Sequence, residues 1–390
     1  MIRVLHTLDT FMNISENWIY PQITQVPGTW TRAFCNTVKN RESFPISNSR
    51  LIFDPPPWNY GLGIPRLLNS ATWRLGKPGA FTTFRIRCGR PQILHAHFGT
   101  RGWQSLALKR RLNVPLATSF YGYDAWQLPI TEPVWRERYR ELFAEGEAFL
   151  VEGPAMRSRL VGLGCPKEKV VIQRIGVDLT PLISETKIFS KGLKIAMVGR
   201  FIEKKGLADG LSACALAVSR GANLSVSVIG DAYPTDAAGQ QIKEDLRRLA
   251  NQPALSGRVV FTGLLPLAQT RATLKEHNVF LCPSKHAANG DAEGGSPVSL
   301  TEAMALGLLC IGTRHCDIPE VIADGKTGYL SNEGDTEAIA SILCSISARN
   351  GETVEVVQAG RRHIEDLFNL QRQLGKMSVA YKSLLNMRQS

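Results

Sequence analysis

The sequence predicts an α/β protein built from two doubly wound domains, on three observations. Its 390 residues, 44% of them hydrophobic, are more than one hydrophobic core normally serves. Short apolar, β-branched runs alternate with helical patterns, the rhythm of a parallel sheet covered by helices. This alternation comes in two series, separated by a stretch that has neither period.

In the first series, residues 3–6, 92–95, 115–120, 148–152 and 170–175 read as buried strands, and residues 101–112, 134–143 and 155–163 as helices. The second series has strand-like LKIAMVG (193–199), LSVSVIG (224–230), RVVFTG (258–263), NVFLCPS (278–284) and LLCIGT (308–313). Helical patterns at 207–219, 239–249, 267–276 and 297–306 lie between them, and after Gly334 the pattern is helical to the end. GVDLTPLISETKIFSKG (176–192), with Pro, Ser and Gly and no period, reads as the linker. Ligands are then expected at the carboxyl ends of the strands, facing a central cleft.

Composition narrows the function classes. No run of 18 or more apolar residues occurs, and the N-terminal segment has no long apolar core with a cleavage site, so the expectation is a cytoplasmic, unexported protein. Eight scattered cysteines without a CxxC pair argue against a zinc site and a disulfide framework. The net charge of +12 is uneven: residues 1–120 carry 15 Lys and Arg against 4 Asp and Glu, whereas residues 191–390 carry 22 against 20. A basic first half suits an anionic partner, whether a phosphorylated substrate, a lipid surface or nucleic acid, or it is a solvated face.

The chemistry concentrates in the second series. In VGRFIEKKG, Gly199 permits a turn off the strand, and Arg200 and Lys205 sit on a strand-to-helix loop, where a guanidinium and a mobile ammonium can grip a diphosphate. Lys204 is expected to be solvated, and GxGxxG is absent. The loops FTGLLP, with Leu265, and LCPSKH, with Ser284, follow strands and would lie near a nucleobase. In GDAEGGSPVSLTEAMA, Ser296 is the expected N-cap and Pro297 the first helical residue, with Gly307 as the stop. The free N–H groups of Val298 and Ser299 would then face an anion. Glu302, five residues past Pro297, sits about 7.5 Å down the axis, a spacing that suits a ribose beyond the phosphates. Glu293, beside Gly294 and Gly295, would meet sugar hydroxyls.

These residues carry a resemblance. SENWIYPQI (15–23), AHFGTRG (96–102), TSFYGYD (118–124), RLVGLGCPKEKVVIQRIGVD (159–178), VGRFIEKKG, EGGSPVSLTEAMALG and IPEVIADGKTGYL (318–330) together resemble the family-four glycosyltransferases of the GT-B fold, most closely their bacterial exopolysaccharide, colanic-acid-type branch. The resemblance implies two Rossmann-like domains facing a cleft. Residues 1–175 would bind the acceptor and 193–365 the nucleotide sugar, with a terminal helix, 366–390, packing back on the first domain. It implies a retaining, metal-independent transfer of a hexose from a nucleoside-diphosphate sugar, without a cofactor, to a lipid-linked saccharide in exopolysaccharide, capsule or O-antigen assembly. Arg200, Lys205 and Glu293 would be catalytic. Glu302, Gly294, Gly295, Ser296, Val298, Ser299, Gly199, Leu265 and Ser284 would bind the donor.

The family's glutamates are separated by seven residues, and here eight lie between Glu293 and Glu302. Tyr121 stands where many relatives have histidine. Ser15, Glu16, His97, Tyr121 and Asp124 are the acceptor-side candidates. A histidine such as His97, in a strand-end run, is more often a packed structural residue. The basic half is expected to touch anionic inner-membrane lipid. Rival readings are a glycoside hydrolase, a sugar-nucleotide epimerase on the same fold, and a basic nucleic-acid-binding protein; no nucleic-acid-binding signature supports the last.

Overall fold

In a computed structural model of the chain, the described residues are 1–13, 16–53, 80–184, 187, 189, 191–348 and 353–387. They form two compact units, Met1–Gly176 with Gln371–Ser390, and Val177–Leu370.

The first unit contains β1 (Ile2–Phe11), β2 (Thr29–Val38), β3 (Leu51–Phe53), β4 (Ile93–His97), β5 (Leu116–Ser119), β6 (Ala148–Val151) and β7 (Val170–Ile172). They make one sheet in the order β3-β2-β1-β4-β5-β6-β7, parallel throughout. Every residue of β4, β5 and β6 is buried, because helices cover both faces, and this is why these strands read as apolar runs. An aromatic cluster of Phe120, Tyr139, Phe143 and Phe149 fills one side, with Phe143 and Phe149 ring centroids 5.0 Å apart.

Sequence periodicity does not reveal β2 or β3. In β2 (TWTRAFCNTV) polar residues interrupt the alternation, and partners far along the chain satisfy them: Arg32 Nη1 donates to Arg85 O at 2.9 Å, and Arg50 Nε donates to Thr31 O at 2.9 Å. The last helix, Leu370–Asn386, is seated by Tyr381, whose hydroxyl lies 2.7 Å from His95 Nδ1, and by Ser378, whose hydroxyl donates to Pro27 O at 2.8 Å.

The second unit repeats the plan with β8 (Leu193–Val198), β9 (Leu224–Ile229), β10 (Val259–Gly263), β11 (Val279–Cys282), β12 (Leu309–Thr313) and β13 (Tyr329–Ser331). Its parallel order is β10-β9-β8-β11-β12-β13. The chain reverses direction across the sheet between β8 and β11, and the loops leaving their carboxyl ends are 199–206 and 283–297, where such a sheet binds ligands. One core cluster packs Ile195, Met197, Leu211 and Cys214, and another packs Phe280, Leu300, Met304 and Ile322. β13, three residues long, carries too few positions to show a period. Within 176–192, Val177 and Leu182 are buried, and Val177 N–H donates to Phe368 O at 2.8 Å. Among the described residues no helix is long and apolar enough to cross a membrane.

Gly206 lets the 199–206 loop turn into the helix Leu207–Ser219: its φ is +60°, and a Cβ there would lie 1.8 Å from Pro283 O. Gly206→Ala is therefore expected to lower the melting temperature by about 5 °C or more. Gly221→Ala, at φ +93° with open space around it, should cost much less. Melting curves of the two variants check this.

Candidate active site

The loop after β8 separates two neighbouring lysines by role. Lys204, expected to be solvated, is instead buried, and its Nζ donates to Asp291 Oδ1 at 3.0 Å and to Ala292 O at 2.9 Å. The 3-10 turn Glu203–Lys205 points it inward, so it ties the 290s loop to the sheet end. Lys205 reaches Glu293, with Nζ 2.8 Å from Oε1 and 2.9 Å from Oε2. Gly199 permits this, since a Cβ there would sit 3.0 Å from Lys205 Cγ. Arg200 is exposed, its guanidinium carbon 5.7 Å from the Tyr233 ring centroid.

Glu293 is held at three points. Besides Lys205, Ser284 Oγ donates to its Oε1 at 2.8 Å, and its backbone N–H donates to His315 Nε2 at 3.1 Å. Burial alone would raise its pKa, but the charges of Lys205 and Lys204 and the hydrogen bonds from Lys205 and Ser284 outweigh burial and bring it down to about 2. Ser284, expected against the donor, thus supports the carboxylate. Gly294 adopts φ +84°, and Gly295 O accepts from Asp317 N–H at 3.4 Å.

The following helix is Val298–Ala305, one residue later than expected. Pro297, at ψ 130°, is extended and forms the N-cap, and no side chain caps the helix, so Ser296 is not the cap. Leu300 N–H makes the first intrahelical bond, to Pro297 O at 2.9 Å, which leaves the N–H groups of Val298 and Ser299 ahead of it. Glu302 is 5% exposed and accepts from Arg271 Nε at 3.2 Å and from Arg271 Nη2. Leu265 and Val298 are half-buried against the core cluster that also holds Leu300 and Phe280.

Sequence reasoning missed Arg271, Lys204, His315 and Glu333. Lys204 stands in VGRFIEKKG but read as solvated, and the other three stand in none of the motifs read.

In the first unit, Ser15 lies outside the described residues. Glu16 accepts from Asn13 Nδ2 at 3.1 Å. His97 is wholly buried: its Nε2 lies 3.0 Å from His6 Nδ1 and its Nδ1 2.8 Å from the Tyr121 hydroxyl, which donates to Gln22 Oε1 at 3.4 Å. Burial, with His95 and His6 alongside, pushes the His97 pKa well below the ordinary histidine value, so the ring is neutral. Asp124 is also wholly buried. Its Oδ2 accepts Gly99 N–H at 2.7 Å and its Oδ1 accepts the N–H groups of Tyr121 and Gly122 at 3.1 Å each, bracing two strand-end turns. Tyr121 is buried with them, 9% exposed.

Among the described residues, two groups bring metal-ligating atoms within 4.8 Å of one another: His6, His95 and His97; and His286, His315 and Cys316. Both ring nitrogens of His97 and of His95 are already engaged, the latter by Tyr381 and by Ser119 at 2.8 Å. His315 is likewise committed at both nitrogens, to Glu333 and to the Glu293 N–H. Hydrogen bonds run through both groups, and in the first His6 Nε2 is buried without a partner.

Residues 192–349 match the family model "Glycosyl transferases group 1", and residues 41–180 match "Glycosyltransferase Family 4". The amylovoran biosynthesis glycosyltransferase AmsK of Erwinia amylovora is 32% identical over 297 residues, spanning 75% of this chain and 68% of that protein. The putative colanic acid biosynthesis glycosyltransferase WcaL of Escherichia coli K12 is 34% identical over 287 residues, spanning 72% and 68%. Among solved structures, Anabaena Alr3699/HepE in complex with UDP and glucose superimposes with a TM-score of 0.75 at 14% identity, covering 98% of this chain and all of that one. Sucrose-phosphate synthase from Thermosynechococcus elongatus gives 0.77 at 17%, over 99% of this chain and 100% of that one. The two parallel α/β units are those of the GT-B fold.

Two outcomes test the site's electrostatics. Arg271→Met leaves Glu302 buried without its partner and should destabilise by about 3 kcal/mol, whereas Arg271→Met with Glu302→Gln should recover much of the loss in denaturant titrations. The depressed pKa of Glu293 contributes stability that is full above its unfolded value of about 4.3 and is lost as pH falls toward 2. Glu293→Gln should flatten that part of the melting temperature against pH.

Proposed function

The chain belongs to the family 4, group 1 glycosyltransferases, and from that membership we propose that it moves a hexose from a nucleoside-diphosphate sugar to a saccharide acceptor with retention at the anomeric carbon. The observation that carries the reading is the Lys205–Glu293 pair, set just before a helix whose first N–H groups precede any intrahelical bond. Lys205 has three donors, so it can keep the carboxylate and still add a phosphate oxygen. The diphosphate would lie against Val298 and Ser299 N–H, Arg200 and Lys205, with Gly199, Gly294, Gly295 and Ser296 giving close backbone approach. Glu302 would turn to the ribose, Leu265 would line the base side, and Glu293 would face the sugar hydroxyls.

In the step proposed, the acceptor oxygen forms its bond to the anomeric carbon on the face that the diphosphate leaves. The bond from that carbon to the phosphate oxygen breaks, and the acceptor proton passes to the departing phosphate. Arg200, Lys205 and the helix N-terminus stabilise the charge that develops there, the role a divalent cation plays in other transferases, so the reaction is read as independent of metal and of any cofactor. The names of AmsK, an amylovoran biosynthesis glycosyltransferase, and WcaL, a putative colanic acid biosynthesis one, support an exopolysaccharide product; a lipid-linked acceptor is part of the same proposal. The 15 basic residues against 4 acidic ones in residues 1–120 support peripheral contact with anionic lipid, with Glu16 and Tyr121 on the acceptor side.

The test is a thermal-shift panel of UDP-, GDP- and ADP-hexoses, followed by transfer assays. A nucleotide sugar should stabilise the protein, and the product should keep the donor's anomeric configuration by NMR. Chelation should leave the rate unchanged, and Lys205→Ala should cost on the order of 100-fold. No stabilisation by any panel member, or an inverted product, would overturn the reading. Stronger binding to anionic than to neutral liposomes at low salt is the matching expectation for the membrane contact.

A further inference from the structure

The loop bearing Glu293 is gripped at two points from a second segment, His315 to Asp317. Glu293 N–H donates to His315 Nε2 at 3.1 Å, and Gly295 O accepts from Asp317 N–H at 3.4 Å. Between the two gripping residues, Cys316 adopts φ +45°, an uncommon conformation for a side-chain-bearing residue, and its Sγ lies 3.3 Å from the same His315 Nε2.

His315 is the polar centre of this grip. It is wholly buried, and its Nδ1 lies 2.7 Å from Glu333 Oε1. Glu333 is itself placed by His286, whose backbone N–H donates to Oε2 at 2.8 Å and whose Nδ1 lies 2.9 Å from Oε1. The carboxylate can only accept, so Nδ1 of His315 carries the proton and Nε2 presents a lone pair to the Glu293 N–H. A backbone amide can only donate, and the other tautomer would leave two donors facing each other.

The geometry points to His315, oriented by Glu333, as a positioning residue that sets the Glu293 carboxylate for the donor's sugar and leaves the nucleotide sites untouched. The grip ends at Gly295, ahead of the helix Val298–Ala305 that carries Glu302, and neither of its two hydrogen bonds involves Arg200 or Glu302. This rests on the assignment of Glu293 to the donor sugar. The eight-residue loop between the two glutamates is pinned from β12's exit, by the His315 side chain at Glu293 and by the Asp317 N–H at Gly295.

The test compares binding of UDP-, GDP- and ADP-hexoses with the matching nucleoside diphosphates by calorimetry on the full chain. For whichever nucleotide sugar the wild type binds, His315→Leu should weaken binding about tenfold and change the Kd of the diphosphate less than about twofold. His315→Gln, whose amide can accept from Glu293 N–H and donate to Glu333, should recover most of the loss. Adding His315→Leu to Glu293→Gln should weaken the sugar nucleotide by less than about twofold further. If His315→Leu does not fold, Glu333→Leu carries the same comparison, since it frees the tautomer.

Equal losses for sugar nucleotide and diphosphate, no loss in His315→Leu, or a Gln variant as weak as Leu would each overturn the proposal while the transferase reading stands. A wild type that binds no nucleotide sugar would overturn both.

Discussion

The second unit is organised around one buried ion pair, Lys205 with Glu293. A carboxylate whose side chain is 7% exposed costs too much free energy to stay charged without compensation, and here it stays charged because an ammonium and a hydroxyl reach it together. Much of the surroundings follows from that requirement. Gly199 has no side chain because the Lys205 stem lies against it, and Gly206 turns left-handed beneath Pro283 so that the lysine leaves the loop at the right place. Lys204, one residue earlier, points inward to Asp291 and Ala292 and keeps the partner loop at the right distance.

The two units answer burial in opposite ways. At the β8 and β11 ends, charge is concentrated and paired: Lys204 with Asp291, Lys205 with Glu293, Arg271 with Glu302. At the β1 and β4 ends, the polar groups are largely neutral, a run of Gln22, Tyr121, His97 and His6 joined by hydrogen bonds, with burial driving the histidines to their uncharged form. The first arrangement suits a charged leaving group. The second suits hydroxyls, and it explains how a tyrosine fits at position 121: His97 supplies it with a partner inside the sheet.

Much of the second unit was legible because β11 and β12 are buried throughout and therefore apolar, and because the Gly-Gly-Ser-Pro entry to a helix is a local signal. The strand β2 was not, since its polar residues meet Arg50, Arg85 and other distant groups that no window contains, and β3 is only three residues long. The helix start was misplaced by one residue for a similar reason: Pro297 is compatible with either side of the boundary, and its ψ of 130° is set by the loop before it. Ser284 was placed near the donor from its strand-end position, but its bond to Glu293 depends on the fold of a loop nine residues away.

By itself, the sequence determined the α/β class, the two-series organisation and the identity of the charged groups that form the site, because these depend on periods and residue chemistry within short windows. Tertiary structure alone decided which lysine is buried and which faces the carboxylate, that Glu302 meets Arg271, and that His315 and Glu333 grip the loop of Glu293. The reason is physical: whether a charge is solvated, paired or used depends on groups brought beside it from tens of residues away, and local composition carries no record of that proximity.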